Sequence, residues 1–386
     1  MRRADYGDGK SMSNPQSKLK VGVLFGGRSG EHEVSLASAR SILGAIDRER
    51  YEVYPIAITK SGRWITSPRA EALLQAAVGS GVSAEQLEAE LATESTPYPD
   101  LAFLSQMDVV FPVLHGPFGE DGTMQGLLEL LDIPYVGCGV ASSSIGMDKA
   151  LMKALFAAQG LPQVRYRVVL RRHWRARPRE IMAELEEAFE YPIFVKPANL
   201  GSSVGVSKAH DGEELWAGLD EAARYDRKLI VEQGIDRARE IECSVLGNDE
   251  PQASIPGEVV PSNEFYDYAA KYLDGQSSLL IPAPLSRSEV AEVQRLAIAA
   301  FKALDGSGMA RVDFLMDPKS GRLYVNEVNT IPGFTQISMY PKLWEASGLP
   351  YPRLIDRLIE LALERHEERR QHVARQVASG APTGRP

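Results

Sequence analysis

Short apolar runs alternating with amphipathic segments predict an α/β protein: a doubly wound amino-terminal sheet followed by two further regions built around strands. Two observations carry this prediction. Strand and helix patterns alternate through the first 145 residues, and beyond residue 240 strands follow one another with a single long helix among them.

The run Lys20-Val-Gly-Val-Leu-Phe25, closed by Gly26-Gly27, is apolar on both strand faces, as a buried parallel strand must be. A helix over residues 35–46 follows, then strands over 51–58 and 108–114 and a helix over 122–131. Residues 71–99, helical and acidic and then loop-like, read as a peripheral insertion. A second region opens near Met147 with a helix carrying Lys149 and Lys153, and has strands over 193–196 and 228–232. The third contains strands over 241–246, 258–260, 311–316 and 323–328 and a helix over 288–304. Domain limits of 18–145, 146–239 and 240–365 follow. Residues 1–17 lack a hydrophobic period, and 366–386 run charged and then rich in Gly, Pro and Ala, so both read as disordered tails.

Composition narrows the function. At 386 residues the chain suits two or three domains. A net charge of −9 with no basic stripe argues against a nucleic-acid partner, although a few cations converging on one cleft can still hold an anionic nucleotide. The two cysteines, Cys138 and Cys243, have no metal-ligand spacing and no neighbouring base, which disfavours a zinc site, a disulfide framework and thiol catalysis. No apolar run reaches membrane length and no signal-peptide core opens the sequence, so a cytoplasmic location without a membrane partner is expected.

The most informative segment runs from Arg311 to Asn329. Two β-prone runs flank Asp317-Pro-Lys-Ser-Gly321, a strong turn signal, and therefore form an antiparallel hairpin. Period two places Arg311 with Asp313 on one face, and Glu327 with Asn329 on one face of the return strand, with Asp313 within one or two rungs of Glu327. Carboxylates this close repel unless a hard cation lies between them. A solvated strand face is the plainer reading, but Val312, Phe314, Val325 and Val328 supply an apolar opposite face, and the irregular Thr330-Ile-Pro-Gly333 follows.

Gly201-Ser-Ser-Val-Gly205, after a strand bearing Lys196, has the character of a phosphate cradle, and a plain hairpin turn fits it equally well. No Walker sequence is present. Gly26-Gly27-Arg-Ser-Gly30 lacks dinucleotide spacing, and Thr59-Lys60 stands where a ribose-binding acid belongs, so a nicotinamide site is rejected.

Six motifs in order resemble those of the D-alanine–D-alanine ligases over about residues 20 to 363. They are Glu31-His-Glu-Val-Ser35, His115-Gly-Pro-Phe-Gly-Glu-Asp-Gly-Thr-Met-Gln-Gly126, Gly146-Met-Asp-Lys149, Gly201-Ser-Ser-Val-Gly205, Phe265-Tyr-Asp-Tyr-Ala-Ala-Lys-Tyr272 and Asn326-Glu-Val-Asn-Thr330. The resemblance implies a three-domain ATP-grasp fold with ATP between the central and carboxyl-terminal domains. It implies that two D-alanines are joined through an acyl phosphate to make a peptidoglycan precursor. The closest rivals are a D-alanyl-D-lactate ligase or another ATP-grasp carboxylate–amine ligase; a nucleotide-binding regulator without turnover is a third.

Residue by residue, the resemblance assigns ATP to Lys149, Lys196, Ser202, Ser203, Glu232, Gln233, Gly234, Ile235, Glu240, Lys271, Asn326 and Glu327. The family often carries Lys-Trp where Gln233-Gly234 stands, which puts side-chain contacts to adenine there in doubt. Asp313, Glu327 and Asn329 match ligands of magnesium (two ions, with manganese as a substitute). Glu31 matches the residue that holds the first D-alanine's ammonium, with His115 beside it, and Ser338 with Met339 matches the site of the second D-alanine's carboxylate. Arg311 and the Gly333 amide match the donors to the oxyanion. Glu31, Ser202 and Tyr272 match a hydrogen-bonded trio under a lid, and the neutral phenol of Tyr272 favours an amine over a lactate hydroxyl as acceptor. A homodimer is expected. Taken singly, Glu31 could cap a helix, His115 could end a strand and Tyr272 could pack in a core.

Overall fold

The computed structural model describes residues 18–66, 69–76, 95–202, 204–260 and 278–379. Most of the 71–99 insertion, Ser203, the 265–272 segment with Lys271 and Tyr272, and the amino-terminal tail lie outside the described residues.

The first sheet has the order β3-β2-β1-β4. Strand β1 (Leu19–Gly26) pairs parallel with β2 (Tyr51–Ile58) and β4 (Val109–Val113), while β3 (Trp64–Thr66) is antiparallel to β2. Along β1, Val21, Val23 and Phe25 enter one core and Leu24 another, which is why the run is apolar without alternation. Helix α1 (His32–Ala45) buries Leu36, Ala39 and Ile42 on the first face. Two short helices, α2 (Arg69–Ala76) and α3 (Leu101–Leu104), precede β4, and α4 (Thr123–Leu130) buries Met124 and Leu128 on the opposite face. Gly26 ends β1 with φ +89; a Cβ there would lie 2.1 Å from the Ile58 carbonyl, so only glycine lets the chain turn here.

After α5 (Val140–Met147) and α6 (Lys149–Ala158), a second, antiparallel sheet has the order β5-β8-β6-β7: β5 (Tyr166–Leu170), β6 (Ile193–Pro197), β7 (Ser207–Ala209) and β8 (Lys228–Gln233). Helices α7 (Arg171–Ala176), α8 (Pro178–Ala188) and α9 (Gly212–Tyr225) supply Trp174, Ile181, Leu185, Leu215 and Leu219 to its core. The third sheet is antiparallel in the order β12-β11-β9-β13-β14, with β10 (Gln252–Ala253) paired to β9. Its members are β9 (Arg239–Gly247), β11 (Gly257–Val260), β12 (Ser278–Leu280), β13 (Gly308–Met316) and β14 (Leu323–Asn329). Helix α10 (Arg287–Ala303) begins with a reciprocal cap: Ser286 Oγ accepts from the Glu289 amide at 3.3 Å and Glu289 Oε2 from the Ser286 amide at 2.7 Å.

Helix α11 (Met339–Ala346) leads to α12 (Tyr351–Ser379), which returns to the first sheet, where Leu354, Ile355, Leu358 and Ile359 join the core of Val21 and Phe111. The sequence assigns residues 366–386 to a tail; instead the helix continues through Ser379. Two charged residues near the 365/366 boundary are anchored rather than solvated. Arg365 donates to the carbonyls of Gly137 and Tyr135 and to Ser307 Oγ at 2.6 Å, lies over the Tyr135 ring, and is followed by His366 at 3.0 Å from the Asp132 carbonyl. Composition alone shows none of these partners.

Arg365→Ala should therefore destabilise the fold by about 1–3 kcal/mol, since it strands two buried carbonyls. A lowered thermal midpoint, with faster amide exchange over residues 366–371, is the expected result.

Candidate active site

The three sheets meet around two adjoining cavities, of about 580 Å³ and about 150 Å³. The larger is lined by Glu31, His115, Asn329, Gly333, Ser338 and Met339, and the smaller by Lys196, Glu232, Gln233, Gly234, Ile235, Glu240, Asp313 and Asn326. Lys149, Gly201, Ser202, Glu242, Arg311 and Glu327 line both. The hairpin, the glycine loop and the first residue of α6 thus form the common wall.

In the hairpin, Asp313 lies directly opposite Glu327, and Arg311 opposite Asn329. Phe314 then pairs with Val325, so Asn326 is one extra residue on the return strand. This bulge accounts for the buried positions Val325 and Val328 being three apart, and it turns both Asn326 and Glu327 to the smaller cavity. Arg311 grips Asp313 with two bonds of 2.7 Å and lies 3.0 Å from Glu242. Burial disfavours its charge, but Asp313 and Glu242 outweigh that and raise its pKa well above the ordinary value. Asn329 Nδ2 lies 3.3 Å from Asp313 Oδ2. Among the described residues no three His, Cys, Asp or Glu side chains converge as a metal cage. Two carboxylates and an amide, all oxygen donors, fit a hard cation that completes its shell from phosphate rather than from the protein.

On the nucleotide side, Lys149 Nζ donates to the Leu200 carbonyl at 2.8 Å and lies 3.3 Å from Glu327 Oε2. Lys196 and Lys153 flank Glu232 at 2.6 and 2.9 Å. Burial alone would raise the Glu232 pKa, yet the two lysines bring it down to about 2. Burial lowers the pKa of Lys153, while Glu232 holds that of Lys196 above the ordinary value against burial. The Gln233 side chain turns away to the Glu190 carbonyl at 2.7 Å and to Arg165 at 3.0 Å. At Gly234 a Cβ would meet the Pro192 carbonyl at 2.5 Å, so this close approach admits no larger residue.

On the other side, Glu31 stands at the N-cap position of α1 but makes no side-chain cap. Its carboxylate instead accepts the hydroxyl of Ser202, whose left-handed φ of 50° costs roughly 1–3 kcal/mol in a residue with a Cβ. His115 is buried, which lowers its pKa. Ser338 is the N-cap of α11, and its hydroxyl accepts from the Thr335 amide at 3.0 Å; a helix amino terminus of this kind suits a carboxylate. Cys138 and Cys243 are buried, their thiols pushed up by burial (Cys243 to about 12), and neither lines a cavity.

Three functional candidates escape sequence reasoning. Glu242 lies two residues beyond Glu240 on β9 and pairs in register with Asp313. Lys153 lies one helical turn beyond Lys149. Glu120 sits inside the 115–126 motif; it accepts the Gly116 amide at 2.7 Å, and burial, with Glu31 nearby, raises its pKa to about 8.

The three sheets, with a cleft between the second and third lined by Lys196, Glu232 and Asp313, have the arrangement of an ATP-grasp enzyme. Models of the D-ala D-ala ligase N-terminus and C-terminus match residues 20–138 and 155–360. The chain belongs to the D-alanine–D-alanine ligase family. It is 53% identical over 369 residues to the D-alanine–D-alanine ligase of Heliobacterium modesticaldum, covering 93% of this chain and 99% of that one. With the ligase of a Thermoanaerobacter species it shares 56% over 364 residues, covering 91% and 98%. Among solved structures, the D-alanine–D-alanine ligase of Coxiella burnetii superposes with a TM-score of 0.78 at 39% identity, covering 94% of this chain and 99% of that one. The VanG D-Ala:D-Ser ligase of Enterococcus faecalis gives 0.76 at 36%, covering 90% and 100%.

Glu232→Gln should leave Lys153 and Lys196 buried without their shared counter-charge, a loss of roughly 3–5 kcal/mol. In the unaltered protein the Glu232 contribution is complete above the ordinary carboxylate value of 4.5 and is lost as pH falls toward 2. Urea unfolding from pH 2 to 7 should accordingly show a steeper acid dependence for the parent than for the variant.

Proposed function

We propose that this chain joins two D-alanines at the expense of ATP, with the nucleotide in the smaller cavity and the amino acids in the larger. The observation that carries this reading is the wall common to both cavities. Lys149, Arg311 and Glu327 stand where a terminal phosphate and a substrate carboxylate would meet. We place the domain limits at 18–145, 146–239 and 240–365, a division supported by the three separate sheets.

Lys149 and Lys196 hold the phosphates with Ser202, and the resemblance assigns Ser203 and Lys271, which lie outside the described residues, to ATP as well. The backbone of 232–235 receives adenine, and Glu240 the ribose. Asp313, Glu327 and Asn329 hold Mg²⁺, or Mn²⁺ in its place; two such ions would neutralise phosphate charge. Glu31 fixes the first D-alanine's ammonium so that its carboxylate attacks the γ-phosphorus, releasing ADP and leaving an acyl phosphate. The second D-alanine, its carboxylate at Ser338 and Met339, loses a proton and attacks the acyl carbon. Arg311 and the Gly333 amide receive the oxyanion, an interaction of about 3–4 kcal/mol, before phosphate departs. The resemblance assigns Tyr272 to a trio with Glu31 and Ser202, and its neutral phenol would select the amine. The product feeds peptidoglycan synthesis. A cytoplasmic homodimer is the expected form, and no helix among the described residues is long and apolar enough to cross a membrane.

The likeness to VanG motivates a second acceptor, D-serine. A coupled assay of ADP release with D-alanine, L-alanine, D-serine and D-lactate, with products weighed by mass spectrometry, separates the readings. D-Alanyl-D-alanine should dominate; D-alanyl-D-lactate as a major product would overturn the role given to Tyr272. Glu327→Gln should keep its cooperative melt and lose at least about 100-fold in kcat at saturating Mg²⁺. Near-normal turnover would remove the hairpin from the reaction.

A further inference from the structure

Gly333 lies on a short connection between β14 and α11, and a peptide N–H on an irregular segment is useful to an oxyanion only if something holds it still. Both ends of the 331–334 segment are held from the first domain. Ser38, on the buried stripe of α1, accepts the Phe334 amide at 3.1 Å. His115, at the end of β4, places Nδ1 at 3.0 Å from the Ile331 carbonyl and Nε2 at 3.4 Å from Ser38 Oγ. The directions agree with one another. A carbonyl only accepts, so Nδ1 carries the proton; Nε2 is then an acceptor, which the Ser38 hydroxyl satisfies while its oxygen takes the Phe334 N–H. Ser38 is wholly buried and His115 nearly so, so no solvent competes with the chain of bonds. The space around Gly333 is equally tight, with a Cβ there lying 2.7 Å from Ser338 Oγ.

We propose that Ser38 and His115 are positioning residues that fix the Gly333 amide where the oxyanion forms, through bonds to Phe334 and Ile331 on either side of it. This inference rests on the ligase reading above. His115 then acts on the reaction through the backbone of the 331–334 segment, and Ser38, which is wholly buried and lines neither cavity, is its necessary partner. Displacement of a donor by an ångström is felt in the transition state and little in the ground state.

The test compares Ser38→Ala, Ser38→Thr and His115→Asn in steady-state kinetics and in inhibition by a phosphinate analogue of the dipeptide, whose tetrahedral phosphorus imitates the adduct. Ser38→Ala should lose on the order of 10- to 100-fold in kcat and weaken the phosphinate by the same factor, with KM for ATP and affinity for D-alanine within about twofold. Ser38→Thr, which keeps the hydroxyl, should recover part of both losses. His115→Asn, which keeps an N–H donor at the δ position but nothing for Ser38, should fall on the same line of log kcat against log inhibition constant. Unchanged kcat in Ser38→Ala overturns the proposal. So does a loss confined to KM, or a fall in kcat without matching weakening of the phosphinate. Parent enzyme that releases no ADP with D-alanine refutes the ligase reading instead.

Discussion

Charge that cannot reach water must find its opposite, and that requirement organises the centre of this molecule. Lys149 faces Glu327, Arg311 lies between Asp313 and Glu242, and Glu232 lies between Lys153 and Lys196. Apart from Arg311 with Asp313, which share β13, each pair joins elements that do not adjoin in the chain, so the pairing holds the helix α6, the second sheet and the third sheet in one arrangement. A buried ion pair contributes little net stability, and removing one partner is far more damaging than never having had either. The network is thus weak evidence for robustness and stronger evidence for specificity of arrangement.

The same charges are suited to a polyanionic substrate. Cations from α6 and β13 and carboxylates from β9 and β14 line both cavities, and Lys196 of β6, Glu232 of β8 and Asp313 of β13 continue the alternation along the smaller one. Phosphate oxygens and their counter-cations can enter such a lattice by exchange of partners, with little change in net charge. Asp148 extends the scheme, capping α6 through the amides of Ala150 and Leu151 while its other oxygen takes Lys228 from the start of β8.

Much of this is written locally. The doubly wound sheet follows from uninterrupted apolar runs, and the opposition of Asp313 to Glu327 follows from a turn and a period of two. What local reading misses has one physical cause, namely partners that are distant in the chain. A bulge at Asn326 is a matter of register with β13, and no pattern within β14 discloses it. His366 and Arg369 look like part of a solvated tail until their partners Asp132 and Glu129 are seen. Glu242 and Lys153 were within sight of assigned neighbours, yet their roles depend on Arg311 and Glu232 in other elements. The motif from 115 to 126 is legible as a signature, but the burial that raises the pKa of Glu120 is not.

The return of α12 to the first sheet has a consequence for how the polypeptide becomes an enzyme. Phe334, Tyr340, Leu354 and Leu358 complete the same core that Val21, Phe25 and Phe111 begin. The two groups lie more than two hundred residues apart in order, so during synthesis the face of the first sheet that α1 covers stays incomplete until the rest arrives. The core of the amino-terminal sheet is therefore closed by the last helices to be made, and shortening the chain from its carboxyl end removes part of that core.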